Sequence, residues 1–149
     1  TLEFNMGLDM HLIAEKYIGE FTNKEANEKV RKASGFSSYT GSATVRVEIA
    51  YWRKANQIHG WFVDNVQAGV DDCGTYQISR EKIAELLELC ETAVREKKPI
   101  LEPRSGFFFG SLDVDEYYWS DMENTVNILS KILDDEKLSD CDFYYHSSW

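Results

Sequence analysis

Cysteine, proline and positive charge are all scarce in this chain. The cysteines are Cys73, Cys90 and Cys141. An odd number, wide spacing and the lack of any Cys-x-x-Cys exclude a disulfide framework and a zinc ribbon, leaving reduced thiols. No apolar run approaches the roughly eighteen residues of a membrane-spanning helix, and no basic start followed by an apolar block marks a secretory signal. Neither GxGxxG nor a P-loop occurs, so ordinary nucleotide hydrolysis lacks its usual phosphate cradle. No His-x-x-x-His or His-Glu-x-x-His places metal ligands locally, and neither a metal nor a cofactor is expected. Lys and Arg number 16 against 26 Asp and Glu, a formal charge of −10. Residues 101–149 alone hold 11 acids against 3 bases. Such a balance excludes direct nucleic-acid binding over the surface, which requires a basic patch, and permits a basic protein partner.

Aromatic residues are plentiful, with 4 Trp, 8 Tyr and 8 Phe in a chain that is 43% hydrophobic. That is enough for one globular domain of 149 residues with a substantial core. Residues 1–5 read as an appended leader ahead of a native initiator Met6. Gly7 after Met6 is half of a myristoylation signal, but His11 stands where that signal wants Ser or Thr.

Along the chain, residues 8–18 predict a first strand. Thr22 and Glu25 have capping-box spacing ahead of a mostly polar helix ending near Ala33. Residues 35–44, small, polar and aromatic, predict a surface loop, read either as a ligand cover or as a tolerated insertion. Residues 44–50 alternate as a strand that leads directly into a helix over 51–66. In that helix Ala55, Ile58, Phe62 and Val66 form a core seam, with Trp52, Asn56, His59 and Val63 on the neighbouring stripe. A turn at 67–72 precedes a strand over 73–78. Ser79 caps a helix reaching about Lys97, whose Ile83, Leu86, Leu87, Cys90 and Val94 form the clearest seam in the chain. The run SGFFFGS reads equally as a buried strand or an aromatic loop wall. After the cap-like acids 113–116, a long helix carries Tyr118, Met122, Val126, Leu129 and Leu133 inward, and residues 142–149 predict a terminal strand. The fold class expected is α+β: a small, mainly antiparallel sheet against three or four helices, the second and third supplying most of the core.

The stretch 51–79 concentrates the candidate chemistry. Arg53 and Lys54 beside Trp52 and Trp61 offer charge and stacking to a planar anion. Asn56 and His59 offer directional hydrogen bonds, with Asp71 and Asp72 behind them. Ser105, beside Gly106, allows close backbone approach. The ordinary alternative is that the aromatics fill the core and the cations answer the many carboxylates. Asn56, His59, Asp71, Asp72 and His146 could instead form an acid–base or metal centre. A thiol–imidazole pair would need Cys73 or Cys141 to meet His59 or His146. Asp113, Asp115, Glu116, Asp121, Asp134, Asp135 and Glu136 offer a face for a basic protein.

The run Met6-Gly7-Leu8-Asp9-Met10, the block YWRKANQIHGWFVDN followed by GVDDCG, the segment SGFFFGS and the ending DFYYHSSW together resemble a family of small proteins encoded by bacteriophages and prophages. The resemblance covers most of residues 6–149. That family has no settled activity, so no catalytic residue is carried over. The resemblance implies an accessory product in the cytoplasm of a bacterial host, acting on host physiology or defence. The leading functional expectation is a non-enzymatic protein that binds and sequesters a small anionic, nucleotide-like ligand. The alternatives are an acidic inhibitor of a host protein and, third, a small hydrolase using His59 or His146.

Overall fold

A computed structural model describes residues 7–106 and 109–149. The expected leader at 1–5, together with Phe107 and Phe108 of the aromatic run, lies outside the described residues. The elements are β1 (Asp9–Ile18), α1 (Lys24–Ala33), β2 (Ala43–Arg53), α2 (Asn56–Asn65), β3 (Thr75–Ile78), α3 (Arg80–Glu96), α4 (Glu116–Asp134), a short 3-10 turn (Glu136–Leu138) and β4 (Asp142–Ser148). All strand pairs are antiparallel and the spatial order is β2-β1-β4-β3. The architecture is therefore α+β, with four strands and four α-helices. No described helix is long and apolar enough to cross a membrane.

Alternation along the strands sorts side chains to two faces. Met10, Leu12 and Ala14 of β1 point to the helices with Ala50 and Trp52 of β2, Ile78 of β3, and Phe143 and Tyr145 of β4. Opposite them, Asp9, His11, Ile13 and Glu15 belong to a polar, aromatic face that no helix covers. There His11 pairs in register with Tyr51 on one side and His146 on the other, and Arg46 lies over the Tyr144 ring. The register shifts between Leu12 and Ile13, leaving Ile49 as an extra residue in β2.

Several boundaries differ from those the sequence predicts. Residues 51–53 continue β2, so the helix begins at Asn56 and Trp52 is a strand residue. Lys54, with φ of +57°, makes the switch from strand to helix. Its N–H donates to Leu8 O at 2.8 Å and its carbonyl accepts from Asn56 N at 2.9 Å, so the turn is pinned at both sides. At α1 the capping-box geometry does not form, because Asn23 is the N-cap and makes no side-chain bond. Ser79 does cap α3, accepting from Lys82 N. Cys73 falls in a positive-φ turn, and β3 starts at Thr75. Core supply is also wider than expected, since α4 buries Tyr118, Met122, Leu129 and Ile132 alongside the Ile83, Leu86, Cys90 and Ala93 of α3.

β4 occupies a central place, pairing with β1 over seven residues and supplying the strand partner of β3. A chain truncated after Cys141 therefore loses both ladders and the buried Phe143 and Tyr145. The expected outcome is loss of a cooperative melting transition by calorimetry, whereas removal of Trp149 alone leaves a two-state transition.

Candidate functional site

Helix α2 is buried along Asn56–Val63, polar residues included. Burial without partners would cost each amide or imidazole a few kcal/mol, and the partners they find shape the surroundings. Asn56 Nδ2 donates to Phe109 O at 3.0 Å and Ser111 O at 2.9 Å, while its Oδ1 accepts from Arg104 N at 2.9 Å. One side chain thus ties Arg104 on one side and Phe109 and Ser111 on the other to the start of α2. Gln57 Nε2 reaches Tyr118 O at 3.4 Å, tying α2 to α4, and its amide lies near enough to the Asp121 carboxyl to favour the ionised form.

His59 is fully buried and both ring nitrogens are engaged. Tyr145 Oη stands 2.6 Å from Nδ1, and both Asp71 carboxylate oxygens stand 3.0 Å from Nε2. Burial pushes the imidazole pKa down despite the opposing pull of Asp71. The neutral ring therefore donates from Nε2–H to Asp71 and accepts the Tyr145 hydroxyl proton at Nδ1. Trp149 Nε1 donates to the same carboxylate at 3.2 Å. The Tyr145 ring stacks on Phe62 at 3.8 Å and its hydroxyl pKa is driven well above the ordinary value by burial. An Asp–His–Tyr chain resembles catalytic triads in outline, but here it is a structural pin linking α2, β4 and the turn after α2.

One of several open concavities lies at the N-terminal end of α2. A cleft of about 250 Å³ is lined by Arg53 and Lys54 from the end of β2, Asn56 and Gln57 from α2, and Tyr117 and Asp121 from α4. Ser111, Asp113 and Asp115 contribute to its rim. Gly110, at φ +92°, approaches Lys54 so closely that a Cβ there would sit 3.2 Å from the lysine Cβ. Arg53 is paired with Asp9 at 3.0 Å. Asp115 is occupied as the N-cap of α4, accepting from Tyr117 N and Tyr118 N. Burial raises the Asp121 pKa to about 6, offset in part by Gln57 and reinforced by Asp115. Sequence reasoning missed Gln57 and Tyr117 as cleft residues, and it placed Asp121 only among the acids of an exposed face, since nothing sets it apart until α4 is placed against Gln57.

Of the nine residues singled out as ligand-binding, the cleft gathers Arg53, Lys54 and Asn56. Trp52 is in the core, donating from Nε1 to Thr125 Oγ1 at 2.9 Å. Trp61 is buried beside Phe62 and, with Ser105, borders a separate hollow next to Arg104 and Asp64. His59 and Asp71 form the buried pin. Asp72 shapes its own turn, accepting from Gly74 N and the Tyr76 hydroxyl. The two tryptophans therefore do not face each other across a pocket, and the aromatic ring at the cleft mouth is the exposed Tyr117.

Of the acid–base constellation, His59 and Asp71 meet, and His146 does not join them. His146 lies on the open sheet face with its Nδ1 near Thr75 Oγ1, on the opposite side of β4 from the His59 partner Tyr145. Among the described residues no three His, Cys, Asp or Glu side chains converge as metal ligands. Cys90 is buried, its thiol pushed up to about 12. Of the seven acids offered as a protein-binding face, Asp115 and Asp135 are helix caps and Asp121 faces the cleft.

Three outcomes follow from this geometry. Tyr145→Phe removes the donor to His59 Nδ1 and is expected to lower the unfolding free energy by about 1–3 kcal/mol in chemical denaturation. Asn56→Ala strands one donor and two acceptors, and hydrogen exchange at the Arg104 amide should accelerate. For Asp121, a folded pKa near 6 against an ordinary 3.8 means that the folded protein binds the proton more tightly. The carboxyl's favourable contribution is complete below pH 3.8 and is lost as pH rises through about 6. Asp121→Asn should therefore melt higher than the parent at pH 7 and close to it at pH 3.5.

The chain matches no family model, no curated protein and no solved structure, so its role has to be read from the geometry of the cleft.

Proposed function

We propose that this is a non-enzymatic accessory protein of phage origin that binds, and so sequesters, a small anionic nucleotide-like ligand in the cleft between the β2–α2 turn and the start of α4. The carrying observation is Lys54. Its side chain lines the cleft, it makes no ion pair among the described residues, and its backbone is held at φ +57°. A left-handed conformation costs a non-glycine residue roughly 1 kcal/mol or more, and a glycine or asparagine would make the same strand-to-helix switch more cheaply. A lysine there brings a positive charge to the wall of a cavity, with Arg53 next to it. Asn56 stiffens the opposite wall through the 104–111 loop, so little ordering remains for a ligand to bring about. Tyr117 offers an exposed ring at the mouth for a planar group.

The buried state of His59 favours binding over turnover, since an acid–base group needs a path to the substrate. Native mass spectrometry of protein made in bacteria, compared before and after denaturation, tests the reading. The expected result is a released small anion from the parent protein and none from Lys54→Asn, a change that keeps a residue tolerant of positive φ while removing the charge. An apo mass for the parent, together with no measurable binding of a nucleotide panel by calorimetry, would overturn it.

A further inference from the structure

Charges of opposite sign face the same cleft without answering each other, Lys54 against the carboxylates of Asp113, at the rim, and Asp121. Neither Lys54 nor Asp121 makes an ion pair among the described residues. Arg53 is matched by Asp9, and Asp115 is consumed by the helix N-terminus. Asp121 is half-buried beside Gln57, a side chain only 3% exposed. A partly desolvated carboxylate with no cation is unfavourable, and no purely anionic ligand could relieve it. The occupant must bring an anion toward Lys54 and hydrogen-bond donors toward Asp121.

Resting on the nucleotide-binding reading, we infer that the cleft selects guanine nucleotides, with the phosphate at Lys54 and Arg53 and the base edge at Asp121. A carboxylate offers two acceptor oxygens side by side. Among the common bases, guanine alone presents two adjacent donors on its pairing edge, N1–H and the 2-amino group. Adenine and cytosine each present one donor beside one acceptor, and uracil sets a single N–H between two carbonyl oxygens that the carboxylate repels. Tyr117 at the mouth supplies a ring for the base plane. A cavity of about 250 Å³ lies below the usual range of ligand pockets, so it holds a mononucleotide at most and leaves part of it outside.

Calorimetric titration of GMP, AMP and UMP, with inorganic phosphate as the anion control, into the parent protein, Asp121→Asn and Lys54→Asn tests the assignment. The expected result is GMP binding at least about 10-fold tighter than AMP or UMP, the scale of a bidentate base contact. Asp121→Asn should lose that preference while AMP binding stays level, and Lys54→Asn should weaken all three nucleotides alike. Equal GMP and AMP affinities that both depend on Lys54 would overturn the guanine assignment and leave nucleotide binding standing. Absence of binding by every nucleotide at millimolar concentration would overturn both. Should Asp121→Asn fail to give a folded protein by its melting transition, the GMP-to-AMP ratio of the parent alone decides.

Discussion

Burying α2 on every side is the constraint on which the rest of this structure depends. A helix with one apolar stripe leaves its polar residues in water, but along Asn56–Val63 none is free to do so. Its three long polar side chains must find partners inside, and each one finds them on a different element. Asn56 secures the loop that forms one wall of the cleft, Gln57 secures the start of α4, and His59 secures the central strand β4. Satisfying buried hydrogen bonds is thus what gives the cleft its walls. The apolar contacts of Ile58 and Phe62 drive the helix inward, and the polar contacts determine how everything around it is placed.

The pattern of strands and helices is largely legible in the sequence because most elements carry one clear period. Residues 80–96 repeat at helical spacing with a serine cap, and residues 142–148 alternate, so both appear where expected. The β2–α2 junction departs from expectation for a physical reason. Ala55, Ile58 and Phe62 have helical spacing, and extending it backwards captures Tyr51 and Trp52, whose own alternation is that of a strand interrupted by a bulge at Ile49. Once Trp52 belongs to β2 its indole faces the core, and the stacking role expected of it disappears. Arg53, Lys54 and Asn56 survive as cleft residues because the turn between strand and helix exposes them. Asp121 reads in the sequence only as one acid of an exposed face for the opposite reason, since its environment comes from Gln57 on a distant helix.

The strongly acidic final third likewise resolves into separate tasks. Asp115 and Asp135 answer the exposed N–H groups at the starts of α4 and the following 3-10 turn. A carboxylate at a helix start is favoured by both hydrogen bonding and the local dipole. Asp140 pairs with Lys16 across to β1. Negative charge that looks uniform in a composition count is therefore partly structural, while Asp113 and Asp121 line the cleft without an ion-pair partner among the described residues.

The position of β4 bears on how the chain comes to be folded at all. Asp9 and Ser148 are register partners, so the central ladder joins residues from opposite ends of the described chain. Closing so long a loop carries an entropic penalty that must be met before the ladder returns anything. During synthesis the first strand emerges with only β2 available beside it, and β3 waits unpaired until residues 142–148 have been made. The nascent protein passes through an interval in which the core face of a half-built sheet is uncovered. His59, lacking the Tyr145 hydroxyl for the same interval, is a buried group in the finished molecule that begins as an exposed one.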